Sequence, residues 1–230
     1  MCVRRLILSL LVSPLPVATM LTRSVRLSLS KVKKTKESTS RPNVMPKGHE
    51  WVHSDTLGII EDRHTHNHMI ISGCKGHEYF VRLLCSWARK RSPNRELPFT
   101  AISLNTNYAG RLHRDAGNIG PSVGLAIGSF TGGKLRFWAN DSAKGTRSDV
   151  EQVRGEPSVA LNLKRGVVFD GNCAHEVEPF AGERYSMIFF TGKKYKKTSG
   201  AVKRKMVHMG ADWPTIASLD RLKAKVRRLN

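Results

Sequence analysis

The spacing of apolar positions changes along the chain, and each change predicts a different element. From Gly76 to Arg91 they recur at helical spacing, with Phe80, Val81, Leu84 and Trp87 on one face and Ser92-Pro93 as the stop, which predicts a helix. From Phe99 onward short β-rich runs take over: Thr100 to Asn105, Ser122 to Gly128, Lys134 to Trp138, Ser158 to Leu163, Val167 to Asp170 and Arg184 to Thr191. Glycines punctuate them, among them Gly110, Gly120, Gly132-Gly133, Gly171 and Gly182. Trp51 to Gly73 reads as short strands ahead of this region, and Ala139 to Pro157 as a polar insertion forming a mobile loop. Helical spacing returns at Ile216, Leu219, Leu222 and Val226, so a helix is expected from Thr215 to about Arg228, its apolar face docked on the β-rich body. The fold class is therefore mainly β with flanking helices.

The first forty residues follow neither period. An apolar run from Leu6 to about Met20 follows Arg4-Arg5 and is broken by Pro14 and Pro16, too short and interrupted for a stable membrane span. With Arg23, Arg26, several serines and no acid before Glu37, the segment has the character of a signal or transit peptide, and the expected location is nuclear or organellar. Lys31 to Pro46 reads as linker. The organisation expected is a basic targeting or disordered segment over 1–48, a folded domain over 49–197 with its core at 97–195, and a basic helical extension over 198–230.

Charge sharpens that division. The chain carries a net charge of +21 and is 40% hydrophobic, a composition that excludes wholesale disorder. Residues 1–48 hold ten Lys/Arg against Glu37 alone, and residues 193–230 hold twelve against Asp212 and Asp220, so the charge sits at the two ends and the centre is nearly neutral. Basic ends around a neutral domain are the footprint of attachment to a polyanion, with nucleic acid the natural partner.

The central region also carries a metal-binding pattern. His113-x-Asp115 places two ligands on one side of an extended segment, and His175 supplies a second imidazole from elsewhere. Two imidazoles and one carboxylate suit Fe(II) and leave coordination positions open. Nine positions after His175 comes Arg184-x-Ser186, on an apolar run that turns both side chains the same way. A planar guanidinium beside a hydroxyl matches a carboxylate. His64-x-His66-x-His68 is a second cluster, read as an exposed loop or edge strand because no further ligand follows at metal spacing. Cys2, Cys74, Cys85 and Cys173 lack paired spacing and read as reduced, buried thiols, although Cys173, two before His175, is placed where solvent exposure would make it oxidisable near a metal.

His113, Asp115, His175, Arg184 and Ser186, in that order, resemble the iron and 2-oxoglutarate-dependent oxygenases. The wider wording is similar to the TET/JBP branch of that superfamily: Leu104-Asn105-Thr106-Asn107-Tyr108, then Asn118-x-Gly120-Pro121-Ser122, Gly128-x-Phe130-x-Gly132-Gly133, Phe169-Asp170-Gly171-Asn172 and Pro179-Phe180-x-Gly182-Glu183. The resemblance covers roughly residues 97 to 195. AlkB-type enzymes carry a second Arg six positions after the first, where this chain has Phe190. Oxygen-sensing prolyl hydroxylases share the His175-Glu176-Val177-x-Pro179 run and an Arg nine after the His, and remain the alternative. Collagen-type prolyl hydroxylases usually have Lys at the place of Arg184.

The resemblance implies a double-stranded β-helix, a jelly-roll or cupin-like barrel, with Fe(II) held by His113, Asp115 and His175. It implies 2-oxoglutarate as co-substrate on Arg184 and Ser186, O2 as oxidant, and hydroxylation of a methyl group on a nucleic-acid base, thymine or 5-methylcytosine. Asn105, Asn107 and Tyr108 are expected to line the pocket or to cap strand ends, and Tyr108, Phe130 and Trp138 are the aromatics placed to stack on a base. A protein hydroxylase of the prolyl type is the alternative activity. A non-catalytic basic module that only binds nucleic acid is a third.

Overall fold

The computed structural model describes residues 25, 37–38, 43–62, 64–70, 74, 76–92, 95–146 and 149–226. Most of the segment expected over 1–48 lies outside them, as do Cys2, Pro93 and Arg228. In chain order the elements are β1 (Glu37–Ser38), β2 (Val52–Glu61), β3 (His68–Ile70), α1 (Glu78–Arg89), β4 (Ala101–Thr106), β5 (Ser122–Ile127), β6 (Phe130–Gly132) and β7 (Leu135–Phe137). After these come β8 (Val159–Leu161), β9 (Val167–Phe169), β10 (His175–Val177), β11 (Phe180–Gly182), β12 (Tyr185–Phe190), α2 (Gly200–His208) and α3 (Ile216–Val226).

The described strands form two larger antiparallel sheets and one two-stranded pair, with β3 joined to β2 off the main path of the larger sheet. The larger runs β1-β2-β4-β12-β5-β9 and the smaller β10-β7-β8, with β11-β6 as a separate pair. An isolated bridge between His113 and His175 adds the His113 segment at the free edge of β10. From β4 the chain crosses to the His113 segment in the second sheet, returns to β5, crosses to β7 and β8, returns to β9, crosses to β10 and returns to β12. That repeated exchange between two facing sheets is the double-stranded β-helix of jelly rolls.

Period-two alternation sorts the side chains of the larger sheet. In β12, Tyr185, Met187 and Phe189 join one core cluster, whereas Ser186, Ile188 and Phe190 line the barrel cavity. In β4, Ile102 and Leu104 join the same cluster while Ser103 and Asn105 face the cavity. Helix α1 contributes Val81, Leu84, Cys85 and Trp87 to that outer core, so it covers the sheet from outside. A second cluster contains Phe130, Leu135, Phe137, Leu163 and Phe169, of which Leu135, Leu163 and Phe169 also line the cavity. Strand β5 is buried at all six positions because one face meets the helices and the other the barrel interior.

Several expectations shift in detail. Val52 to Glu61 is one ten-residue strand inside the larger sheet, paired to β4 from His53 opposite Thr106 to Gly58 opposite Ala101, and not a set of short strands ahead of it. Strands β6, β10 and β11 have three residues each, too few for a period to show. Helix α2 was not separated from the basic tail by its pattern. Its sign is Ser199, whose hydroxyl accepts from Val202 N–H as an N-cap. Met206 of α2 and Leu222 of α3 are fully buried in the outer core, so packing is continuous across the boundary expected at 197/198. The stretch from Ala139 to Pro157 is not wholly a loose loop: Asp141 is buried and Glu151–Gly155 forms a 3-10 turn.

Candidate active site

The two histidines of the predicted centre are joined through their backbones. His113 N–H donates to His175 O and His175 N–H to His113 O, both at 3.0 Å. Their rings lie 4.2 Å apart between centroids. Asp115 enters from the same segment, its N–H bonded to Gly171 O at 2.7 Å. Its carboxylate oxygens lie 3.8 Å from His113 Nε2 and 3.9 Å from His175 Nε2. One ligand atom from each of the three residues falls within 4.8 Å of the others, and among the described residues this is the group of three that would hold a metal ion.

Both imidazoles are turned for the task. His113 Nδ1 sits 2.6 Å from Arg111 O and His175 Nδ1 2.9 Å from Cys173 O. A carbonyl only accepts, so each Nδ1 carries the proton and each Nε2 keeps its lone pair for a metal. Phe169 meets the His175 ring edge to face at 5.2 Å, and Asn118 Nδ2 donates to Asp115 Oδ2 at 3.3 Å. Gly171 lies so near that a Cβ there would stand 3.1 Å from Asp115 Oδ2.

Arg114, between two ligands of the centre, points the other way. Its Nε donates to Asp141 Oδ2 at 2.6 Å and its Nη2 to Asp141 Oδ1 at 3.0 Å, with both side chains almost fully buried. Asp141 also accepts from Ala143 N–H at 3.0 Å and Ala174 N–H at 2.7 Å. Burial alone would raise the Asp141 carboxyl, but hydrogen bonds from Arg114, Ala174 and Ala143, with the Arg114 charge, outweigh it and hold the pKa below the ordinary carboxylate value. One carboxylate thus ties the His113-Arg114-Asp115 segment to the residue before His175. Asp141 is not among the residues that the ligand pattern itself singles out. A signal existed: a residue between two same-facing ligands on an extended segment points to the opposite side, and an Arg covered there needs a carboxylate.

Arg184 and Ser186 reach the same cavity as the three ligands, a space of about 370 Å³ that Asn43, Asn105 and Tyr108 also line. Arg184 is 1% exposed, and its Nε and Nη2 have no hydrogen-bond partner among the described residues. Desolvation pushes its pKa down to about 10, with the Tyr108 hydroxyl acting in the opposite sense. Its guanidinium carbon lies 5.5 Å from the Phe130 ring and 5.4 Å from that of Phe180. Gly133, at φ +65°, leaves room for it, since a Cβ there would stand 3.0 Å from Arg184 Nε. A buried, desolvated guanidinium with unused donors is costly unless an anion completes it.

The three pocket residues divide. Asn105 Oδ1 collects donors from Tyr108 Oη at 2.7 Å, Ser54 Oγ at 2.9 Å and Ser103 Oγ at 3.2 Å, and both Asn105 and Tyr108 line the cavity. Asn107, at φ +52°, instead clamps the backbone of Arg184: its Oδ1 accepts from Arg184 N–H at 2.7 Å and its own N–H donates to Arg184 O at 2.9 Å. It positions Arg184 from behind the cavity. Phe130 and Trp138, expected as stacking surfaces, are 7% and 3% exposed and unavailable to a base.

Two other expectations resolve plainly. Cys173 is buried, with Sγ 3.8 Å from Ala139 O, and burial pushes its thiol pKa up to about 11, so it is neither solvent-facing nor reactive; Cys74 and Cys85 are likewise free and buried. His64 and His66 sit in an exposed turn, where His66 Nδ1 lies 3.2 Å from Glu61 Oε1, and His68 starts β3 with Nδ1 2.8 Å from Thr198 Oγ1.

Fold and site together define a double-stranded β-helix whose 2-His-1-carboxylate cluster shares one cavity with a buried Arg, a donor set that suits Fe(II) with coordination positions left open. No protein-family model matches the chain, and no curated protein matches it in sequence. Among solved structures it is similar to NgTET1 in complex with 5mC DNA, at 13% identity and a TM-score of 0.47 over 84% of this chain and 77% of that one. It is also similar to a prolyl hydroxylase from Trichoplax adhaerens in complex with a hypoxia inducible factor peptide fragment, at 13% and 0.42 over 78% and 80%. A 2OG-Fe(II) oxygenase family oxidoreductase from Burkholderia pseudomallei matches at 14% and 0.40 over 76% and 90%. At identities this low the likeness concerns the course of the chain and not the substrate.

Proposed function

We propose that this protein is an Fe(II)- and 2-oxoglutarate-dependent dioxygenase that hydroxylates a C–H bond, with a methyl group on a nucleic-acid base, thymine or 5-methylcytosine, as its substrate. The observation that carries the reading is Arg184. Its buried guanidinium offers unused donors to the cavity that holds His113, Asp115 and His175. A barrel that only bound nucleic acid would gain nothing from an unpaired charge at that depth.

Bound Fe(II), with 2-oxoglutarate and O2, would supply the oxidising chemistry. The chain's own part is to hold and enclose. His113 Nε2, His175 Nε2 and the Asp115 carboxylate would hold the metal, and the Arg111 and Cys173 carbonyls keep both imidazoles in the ligating tautomer. Arg184 would pair with the distal carboxylate of 2-oxoglutarate, and Ser186 adds a hydroxyl on the same face. The hydrogen-bonded Asn105–Tyr108 pair stiffens the adjoining wall. A base stacked in a duplex cannot reach ligands so enclosed, so the substrate is single-stranded or flipped. The basic ends would attach the polyanion.

A prolyl-type protein hydroxylase is the second reading. The His175-Glu176-Val177-x-Pro179 run and the glutamates of the open groove beside the cavity, Glu176 and Glu178, favour it. One assay separates the two: metal-dependent succinate release from 2-oxoglutarate, stimulated by methylated or thymine-containing single strands under the first reading and by proline peptides under the second. If no substrate raises succinate release and metal-loaded protein takes up no 2-oxoglutarate, both readings fail.

A further inference from the structure

We infer that the open groove outside the metal cavity seats the phosphate backbone of a single-stranded nucleic acid, with Lys47, Arg111, Arg136 and Arg154 as its phosphate contacts. This rests on the nucleic-acid reading above and deepens it. The groove, about 1420 Å³, is several times larger than the metal cavity and shares Gly110, His113, Arg114 and Val177 with it. A strand lying in it would pass the mouth of the cavity and could turn one base inward.

The four cations come from separate parts of the chain and are exposed on the lining of this one groove. Three glutamates stand among them, and each is engaged. Arg136 Nη2 lies 2.9 Å from Glu178 Oε1, and Arg154 meets Glu176 at 3.1 Å while also bonding Glu151. Exposed pairs of this kind contribute little, so the arginines exchange them readily for a phosphate, which takes a planar guanidinium on two oxygens. Glu151 marks the place. The Arg154 hydrogen bond, then the charges of Arg154, Lys47 and Arg111, hold its carboxyl below the ordinary value, so cations from three segments already act on one exposed anion at the groove wall. A backbone phosphate carries the same charge to the same spot. Phosphate contacts fix position without reading sequence, leaving base choice to the cavity.

The test is fluorescence anisotropy of the full chain, metal-loaded, with a labelled DNA strand of about eight nucleotides, near the middle of the usual site size for single strands, carrying one 5-methylcytosine. The double variant Lys47→Glu/Arg111→Glu is compared with a charge-matched pair on helix α2 of the basic C-terminal extension, Lys203→Glu/Lys205→Glu. All four side chains are exposed, and a thermal melt checks that each variant folds. The groove variant is expected to bind at least tenfold more weakly and to flatten the salt dependence by about 1.4 log units per log unit of salt, at about 0.7 per phosphate lost. The C-terminal pair should weaken this short strand less, and Glu151→Gln, which removes the competing anion, should tighten it. Equal binding by the groove variant and the wild type, or a larger loss from the C-terminal pair, overturns the groove assignment while leaving the nucleic-acid reading in place. If the wild type binds no strand but releases succinate with a proline peptide, the nucleic-acid reading itself falls, and the groove proposal with it.

Discussion

His113 and His175 exchange both backbone hydrogen bonds at 3.0 Å, so two candidate metal ligands far apart in sequence stand directly opposite one another at the edge of the smaller sheet. A pair bonded in both directions fixes the register of the two segments. With Nδ1 of each ring bonded to the carbonyl two residues before it, ring orientation follows from the backbone alone. The centre is therefore preorganised by the sheet, and the predictions below separate ligation from support.

Asp115→Ala removes a candidate ligand and leaves the core untouched, because the Asp115 side chain is only partly buried and belongs to no apolar cluster. Metal-dependent succinate release should vanish while the melting curve of the metal-free protein shifts by no more than surface substitutions usually cause, about 0.5 kcal/mol. Cobalt titration followed by visible absorption checks the ligation directly. Retained activity with an unchanged cobalt spectrum would sink the triad.

Arg184 should behave oppositely in the free and bound protein. Without co-substrate its buried guanidinium lacks partners at Nε and Nη2, so Arg184→Met is expected to stabilise the free protein by about 1–3 kcal/mol. The same variant should lose the rise in melting temperature that 2-oxoglutarate gives the metal-loaded wild type. Arg184→Lys keeps the charge but not the fork and should raise the KM for 2-oxoglutarate strongly. A wild-type KM in the Lys variant would mean that another cation holds the co-substrate.

Removing one partner of the buried Arg114–Asp141 pair leaves a buried charge and frees Ala174 N–H, so Asp141→Ala should destabilise by about 3–5 kcal/mol. Because Asp141 braces both ligand segments, Asp141→Asn should also weaken cobalt binding by about 10–100-fold, a readout that general loosening of the fold would not reproduce in the folded fraction. The pH dependence has a definite sign. The Asp141 carboxyl is held below its unfolded value, so its contribution is complete above the ordinary carboxylate range and disappears as pH falls through the depressed value. The stability gap between wild type and Asp141→Asn should be full at neutral pH and shrink below about pH 4, measured by denaturant titration at several pH values.

Gly171→Ala tests how tightly the third ligand is confined. The added methyl would meet Asp115 Oδ2 at 3.1 Å, and Gly171 has no positive φ to strain the backbone. Metal affinity should fall while thermal stability changes little. Unchanged cobalt affinity would show that Asp115 has slack.

Much of this molecule was legible in one dimension. The ligand set needed only residue types and order, because His113-x-Asp115 on an extended segment must face one way, and Arg184-x-Ser186 obeys the same period on β12. Helix α1 announced itself by its apolar face and β5 by its unbroken apolar run, since long periodic segments carry their burial in their pattern. What tertiary structure alone decided lies in short strands and distant pairs. Strands β6, β10 and β11 exist because partners in space bond them, and three residues hold no period. Asp141 became the brace of the centre, and Asn107 the clamp on Arg184 in place of a pocket wall, through hydrogen bonds that span the barrel. Burial of Phe130 and Trp138 likewise follows from closure of the two sheets, because a pattern says which side chains share a face and only packing says what covers it.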